Sequence, residues 1–79
     1  MVRYLIMIEN VKNREECRIV IMAIIEGFYC KKINKNECNY LLTKCANKFD
    51  KEIVDSSIYN YNKLTLDKNK KDFFEDNSL

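Results

Sequence analysis

Four cysteines, Cys17, Cys30, Cys38 and Cys45, are the residues with the widest chemical repertoire in this chain. Successive members are separated by twelve, seven and six residues, so there is no C-x-x-C knuckle, and no histidine exists to complete a mixed zinc site. Four thiolates from four helical turns make a poor tetrahedral centre. Cys17, Cys38 and Cys45 fall instead on apolar stripes, where free cysteine behaves as a small hydrophobe. They read as reduced thiols in a reducing compartment, and neither a metal nor a cofactor is expected.

Acid–base chemistry would need paired carboxylates, and the densest clusters are Glu15 with Glu16, and Asp72 with Glu75 and Asp76. The first pair belongs in the opening turn of a helix, where negative charge complements the backbone dipole. The second lies in a polar C-terminal stretch. With one glycine in the chain there is no phosphate-cradling loop and no nucleophile elbow. The expectation is a protein that is not an enzyme.

The basic residues are distributed unevenly. Residues 31–51 carry a net charge of +4 and residues 52–79 a net −2. Within the second helix Tyr40, Lys44, Lys48 and Lys51 recur at i, i+4, i+8 and i+11, so they share one face beside the apolar stripe. An aromatic ring among lysines can track a phosphate backbone. Arginine, the better bidentate ligand for phosphate or guanine, is restricted to Arg3, Arg14 and Arg18. A small nucleic-acid-binding regulator using this lysine face is therefore the second reading. The first is a non-catalytic helical module that binds another protein and masks its surface, as an inhibitor, immunity-type protein or antagonist does. Tyr4, Tyr40, Tyr59 and Tyr61 are its candidate anchors, since tyrosine offers a large contact area with a polar tip.

Helices must position these side chains. Asn13-Arg14-Glu15-Glu16-Cys17 is echoed by Asn34-Lys35-Asn36-Glu37-Cys38. In each, an asparagine can accept a first-turn N–H and a glutamate three residues on can reach back to the cap. Behind the caps, Cys17, Val20, Ile21, Ile24 and Phe28, and then Cys38, Leu41, Leu42, Cys45 and Phe49, follow the same helical spacing. The two helices, about residues 14–31 and 35–49, are joined by the short basic linker Lys31-Lys32-Ile33 and must form an antiparallel αα-hairpin.

A third helix over about residues 51–64, capped by Asp50, carries Ile53, Val54, Ser57, Ile58, Tyr61 and Leu64 on one stripe. Ser56, Ser57 and Asn60 weaken its intrinsic propensity, so it depends on packing. Residues 2–8 fit either a short helix on the hairpin or a lone strand, because Val2, Tyr4, Ile6 and Ile8 also alternate. A short terminal helix around Asp72–Asp76 is conceivable in an otherwise fraying tail. The whole is an all-α chain of one domain, residues 1–66, with a polar, partly ordered tail at 67–79.

Ile19 to Ile25 is apolar on every side, and a helix of that kind must be covered all round. Either the N-terminal segment and third helix wrap it completely or a second copy of the chain does, and the thin core of so short a chain makes a homodimer the expected assembly. Neither apolar run is long enough to span a bilayer, no signal-peptide cleavage site follows them, and a cytoplasmic location is expected. Lys, Asn, Ile and Tyr make up 35 of the 79 residues, the codon signature of an AT-rich bacterium, phage or mobile element.

Overall fold

The computed structural model describes residues 1–68, with side chains to residue 64. The proposed helix at Asp72–Asp76, and nearly all of the predicted tail, lie outside the described residues. Within them the chain is all-α: α1 (Val2–Glu9), α2 (Arg14–Tyr29), α3 (Lys35–Lys48) and α4 (Lys51–Lys68). Residues 2–8 are helical, not a strand. Their alternation is overridden because Tyr4, Leu5 and Ile8 then share the face turned to the core.

The cap chemistry is nearly that expected. Asn34 Oδ1 accepts from the Glu37 amide at 2.8 Å and Glu37 Oε1 accepts from the Asn34 amide at 2.9 Å, a closed reciprocal box. At α2 the Asn13 side chain accepts from the Glu16 amide at 2.9 Å, but the Glu16 carboxylate reaches one residue further back, to the Lys12 amide. Asp50 Oδ1 accepts from the Ile53 amide at 2.8 Å and starts α4. The other Asp50 oxygen pairs with Arg14 at 2.6 Å, which ties the beginnings of α2 and α4 together. The Arg14 hydrogen bond, followed by the Ile53 amide, holds the Asp50 carboxyl below its ordinary range.

α2 ends in a Schellman turn: the Lys32 amide donates to the Gly27 carbonyl and the Lys31 amide to the Phe28 carbonyl. The residue this turn places in the left-handed region is Lys31, at φ 62°. Glycine would sit there without strain, whereas a side chain costs about 1 kcal/mol.

Helix directions follow from the contacts between elements. Tyr4 lies over Gly27 near the end of α2, and Lys48, at the end of α3, reaches the last carbonyls of α1; α1 therefore runs antiparallel to α2. Arg14 meets Asp50 and Tyr29 meets Tyr61, so α4 runs alongside α2 in the same direction. The α2/α3 hairpin is the centre. α1 packs on one side of it and α4 on the other, and among the described residues these two flanking helices make no contact with each other.

Ile21, Ile24, Leu41 and Ile53 are fully buried where the helices meet, with Cys17 and Cys45 among them. The apolar excess of α2 is covered largely within the chain: Ile25 is buried and Met22 half-buried, leaving Ile19 exposed. A second copy is therefore not required to cover it. Val11 and Ile33, both in connections, also join the core.

Gly27 is needed for close approach. A Cβ there would collide with the Tyr4 hydroxyl, so any side chain would force the phenol off its seat.

Ser57 on α4 is 1% exposed and its hydroxyl has no hydrogen-bond partner among the described residues. Its small size fits the packed interface, but its oxygen is desolvated without compensation. Ser57→Ala keeps the fit, removes an uncompensated polar atom and adds helix propensity. The expected result is a gain of about 1 kcal/mol, read as a rise of about 4–8 °C in melting temperature by circular dichroism. A loss of stability would mean that the hydroxyl has a partner.

Candidate functional site

The predicted lysine stripe does not survive as one face. α3 stops at Lys48 because Phe49 leaves the helical region (φ −121°, ψ −87°) and Asp50 caps a new helix. Lys51 thus belongs to the first turn of α4 and lines the α3/α4 groove with Leu42, Val54 and Asp55. Lys48 is committed elsewhere: its ammonium donates to the carbonyls of Ile8 at 2.8 Å and Glu9 at 2.9 Å. A cation on the last carbonyls of α1 satisfies acceptors that have no intrahelical donor.

Tyr40 and Lys44 remain together. The Lys44 ammonium sits 5.3 Å from the centroid of the Tyr40 ring, a cation–π arrangement at the surface. They line a groove of about 510 Å³ between α1 and α3, whose opposite wall is Leu5, Ile8 and Glu9. Val2, Leu5, Ile6 and Glu9 stand at i, i+3, i+4 and i+7, so the apolar wall continues outward over α1. Val2 is 68% exposed, Ile6 53% and Tyr40 48%. Three large apolar or aromatic groups are therefore held in water on the two helices that wall the groove, Val2 and Ile6 on α1 and Tyr40, with Lys44 beside it, on α3.

The chain matches no protein-family model, no curated protein and no solved structure. Its surfaces alone carry the functional argument.

The other predicted anchors divide. Tyr4 is half-buried, turned into the core over Gly27, and acts as the fastening of α1 rather than as a free anchor. Tyr61 is half-buried and stacks on Tyr29, with centroids 5.8 Å apart and planes 11° from parallel. Tyr59 is exposed on the solvent side of α4, away from the α1/α3 groove. Leu64, although on the α4 stripe, is exposed because α4 outruns its neighbours: Tyr61 is already level with the last residue of α2.

Among the described residues no group of three or more Cys, Asp or Glu side chains is placed to hold a metal ion. Cys30 is exposed; Cys17, Cys38 and Cys45 are buried. Burial pushes all three buried thiols up, Cys45 to about 12, helped by the facing Cys17 sulfur. No helix among the described residues is long and apolar enough to cross a membrane.

Sequence reasoning missed Tyr29, Lys31 and Lys32. They line a second groove, of about 650 Å³, at the turn of the hairpin. The signal was available, since two lysines follow an aromatic pair after a single cysteine, but dipole compensation at the end of α2 accounted for them without a site.

Proposed function

We propose that this protein is a non-catalytic binding module that masks a surface of another protein, in the manner of an inhibitor, immunity-type protein or antagonist. The contact face is the α1/α3 groove and its outer wall. The observation that supports this is the exposure of Val2 and Ile6 on α1 and of Tyr40, with Lys44 over its ring, on α3, the two helices that wall the groove. Clustered apolar groups of this kind are costly in water and suit a central contact, while tyrosine adds area with little entropy to lose. The occupant that fits is an amphipathic segment of a partner protein with a carboxylate placed for Lys44. A second copy of the chain is the rival occupant, and would give a homodimer through α1.

Ile6→Asp and Tyr40→Ala test this reading, since both positions are exposed and the fold should tolerate the changes. The partner captured from the host lysate by the unaltered chain should persist after nuclease treatment and shield Ile6 and Tyr40 from surface labelling. Either substitution should abolish its capture while leaving the thermal melt in place. Capture indifferent to both changes would remove the α1/α3 face from consideration. Sedimentation of the purified chain as a dimer that Ile6→Asp dissociates would assign the face to self-association.

A further inference from the structure

The turn of the hairpin presents an aromatic and basic surface separate from the α1/α3 groove. Phe28, Tyr29 and Tyr61 form a run of rings: Phe28 and Tyr29 are 5.4 Å apart and tilted by 53°, and Tyr29 stacks on Tyr61. Tyr29 is 59% exposed. After Cys30 come Lys31 and Lys32, with Lys35 opening α3 on the other side of the turn, all exposed; the one carboxylate lining the groove, Glu37, is engaged by the Asn34 amide. None of the three has a carboxylate partner among the described residues.

Lys31 is the informative member. It occupies the left-handed position of the Schellman turn, where glycine would be less strained, so the turn carries a cation at some cost to its stability. Backbone strain at an exposed charged residue points to the charge having a use.

We infer that the hairpin turn binds single-stranded nucleic acid, Tyr29 on its Tyr61 support stacking a base while Lys31, Lys32 and Lys35 follow the phosphates. Rings provide a sequence-tolerant platform and lysines an electrostatic track, which is the usual division of labour for single strands. A duplex is the poorer fit, because its bases are already stacked and offer no face to Tyr29. The site is distinct from the lysine face expected on α3, which the break at Phe49 and the engagement of Lys48 have dismantled.

The test is fluorescence anisotropy of a short fluorescein-labelled oligothymidylate titrated with the full chain over a range of salt concentrations. Three phosphate contacts predict a slope of log affinity against log salt of about −2. Tyr29→Ala should weaken binding about tenfold through lost stacking. Lys31→Gly should flatten the salt slope by about 0.7 and yet melt at a higher temperature than the parent, so that lost binding cannot be confused with lost folding. No saturable binding at low salt, or binding untouched by both substitutions, would overturn the inference. So would binding that Lys44→Glu abolishes and Lys31→Gly spares, which would return the contact to α3. A glutamate-rich peptide bound more tightly than the oligonucleotide, through Tyr29 and Lys31, would overturn it in favour of an acidic protein.

Discussion

Leu41→Ala is expected to lower the stability of the fold by about 2–5 kcal/mol, the range for emptying a fully buried leucine site. Leu41 has no exposed surface and sits on α3, one of the two helices that touch all three others. The cavity would therefore open at the junction of the bundle, where no single helix can shift to fill it without disturbing two more. A chain of 79 residues has only about 4–12 kcal/mol of stability in total. Urea titration followed at 222 nm should show the midpoint falling by about a sixth at the least, at an unchanged slope. Leu64→Ala is the control: also a leucine on an apolar stripe, but exposed, and expected to change stability by no more than about 0.5 kcal/mol. If the two variants behaved alike, the core would lie elsewhere.

A second large effect belongs to alkaline pH. The Cys45 thiol is raised in the fold from about 9 to about 12, first by burial and then by the charge and hydrogen bonding of Cys17. The folded chain keeps this proton over a range in which the unfolded chain has lost it. Stability is thus complete below about pH 9 and declines as pH rises towards 12, by about 1.4 kcal/mol per pH unit and up to about 4 kcal/mol in all. Cys17 and Cys38, shifted in the same direction, steepen the decline. Tyrosines and lysines titrate nearby, so the informative quantity is the difference between the parent and Cys45→Ala. That substitution should cost little at pH 7 and make the fall between pH 9 and 11 shallower by about 1 kcal/mol per unit. Identical slopes would mean that the Cys45 site admits water freely.

Both effects arise from residues whose burial was readable in the sequence. Cys17, Val20, Ile21 and Ile24, then Cys38, Leu41 and Cys45, repeat at helical spacing behind two asparagine caps, and every one is buried. Local chemistry sufficed there, because cap, propensity and periodicity agree. It failed where a side chain's fate is decided by another helix. Spacing put Lys48 and Lys51 on one face with Lys44, although the bounds read from the same sequence already ended that helix near 49 and opened the next at 51. The stop depends on the Asp50 cap, which was recognised for α4 but also ends α3. Tyr4 looked like an anchor until Gly27, the chain's single glycine, opened a seat for it 23 residues away in sequence. Val11 and Ile33 are buried through tertiary packing of connections that have no period to read. Of the candidate site, Tyr40 and Lys44 were legible as helical neighbours four apart. The apolar wall that makes them a surface was not, since it belongs to α1 and required knowing that α1 is a helix.

That α1 and α4 make no contact among the described residues has a consequence for how the molecule fluctuates. Eight residues are too few to hold a helix in isolation, so α1 is helical only while docked, on the Tyr4 seat at one end and the Lys48 ammonium at the other. Its release leaves the contacts of α2, α3 and α4 with one another in place. The protein therefore has a partly open state in which one terminal segment is coil and a three-helix remainder persists. In that state Leu5 and Ile8 no longer face Tyr40 across the groove, and the α1/α3 surface is assembled only for the fraction of time that α1 is seated.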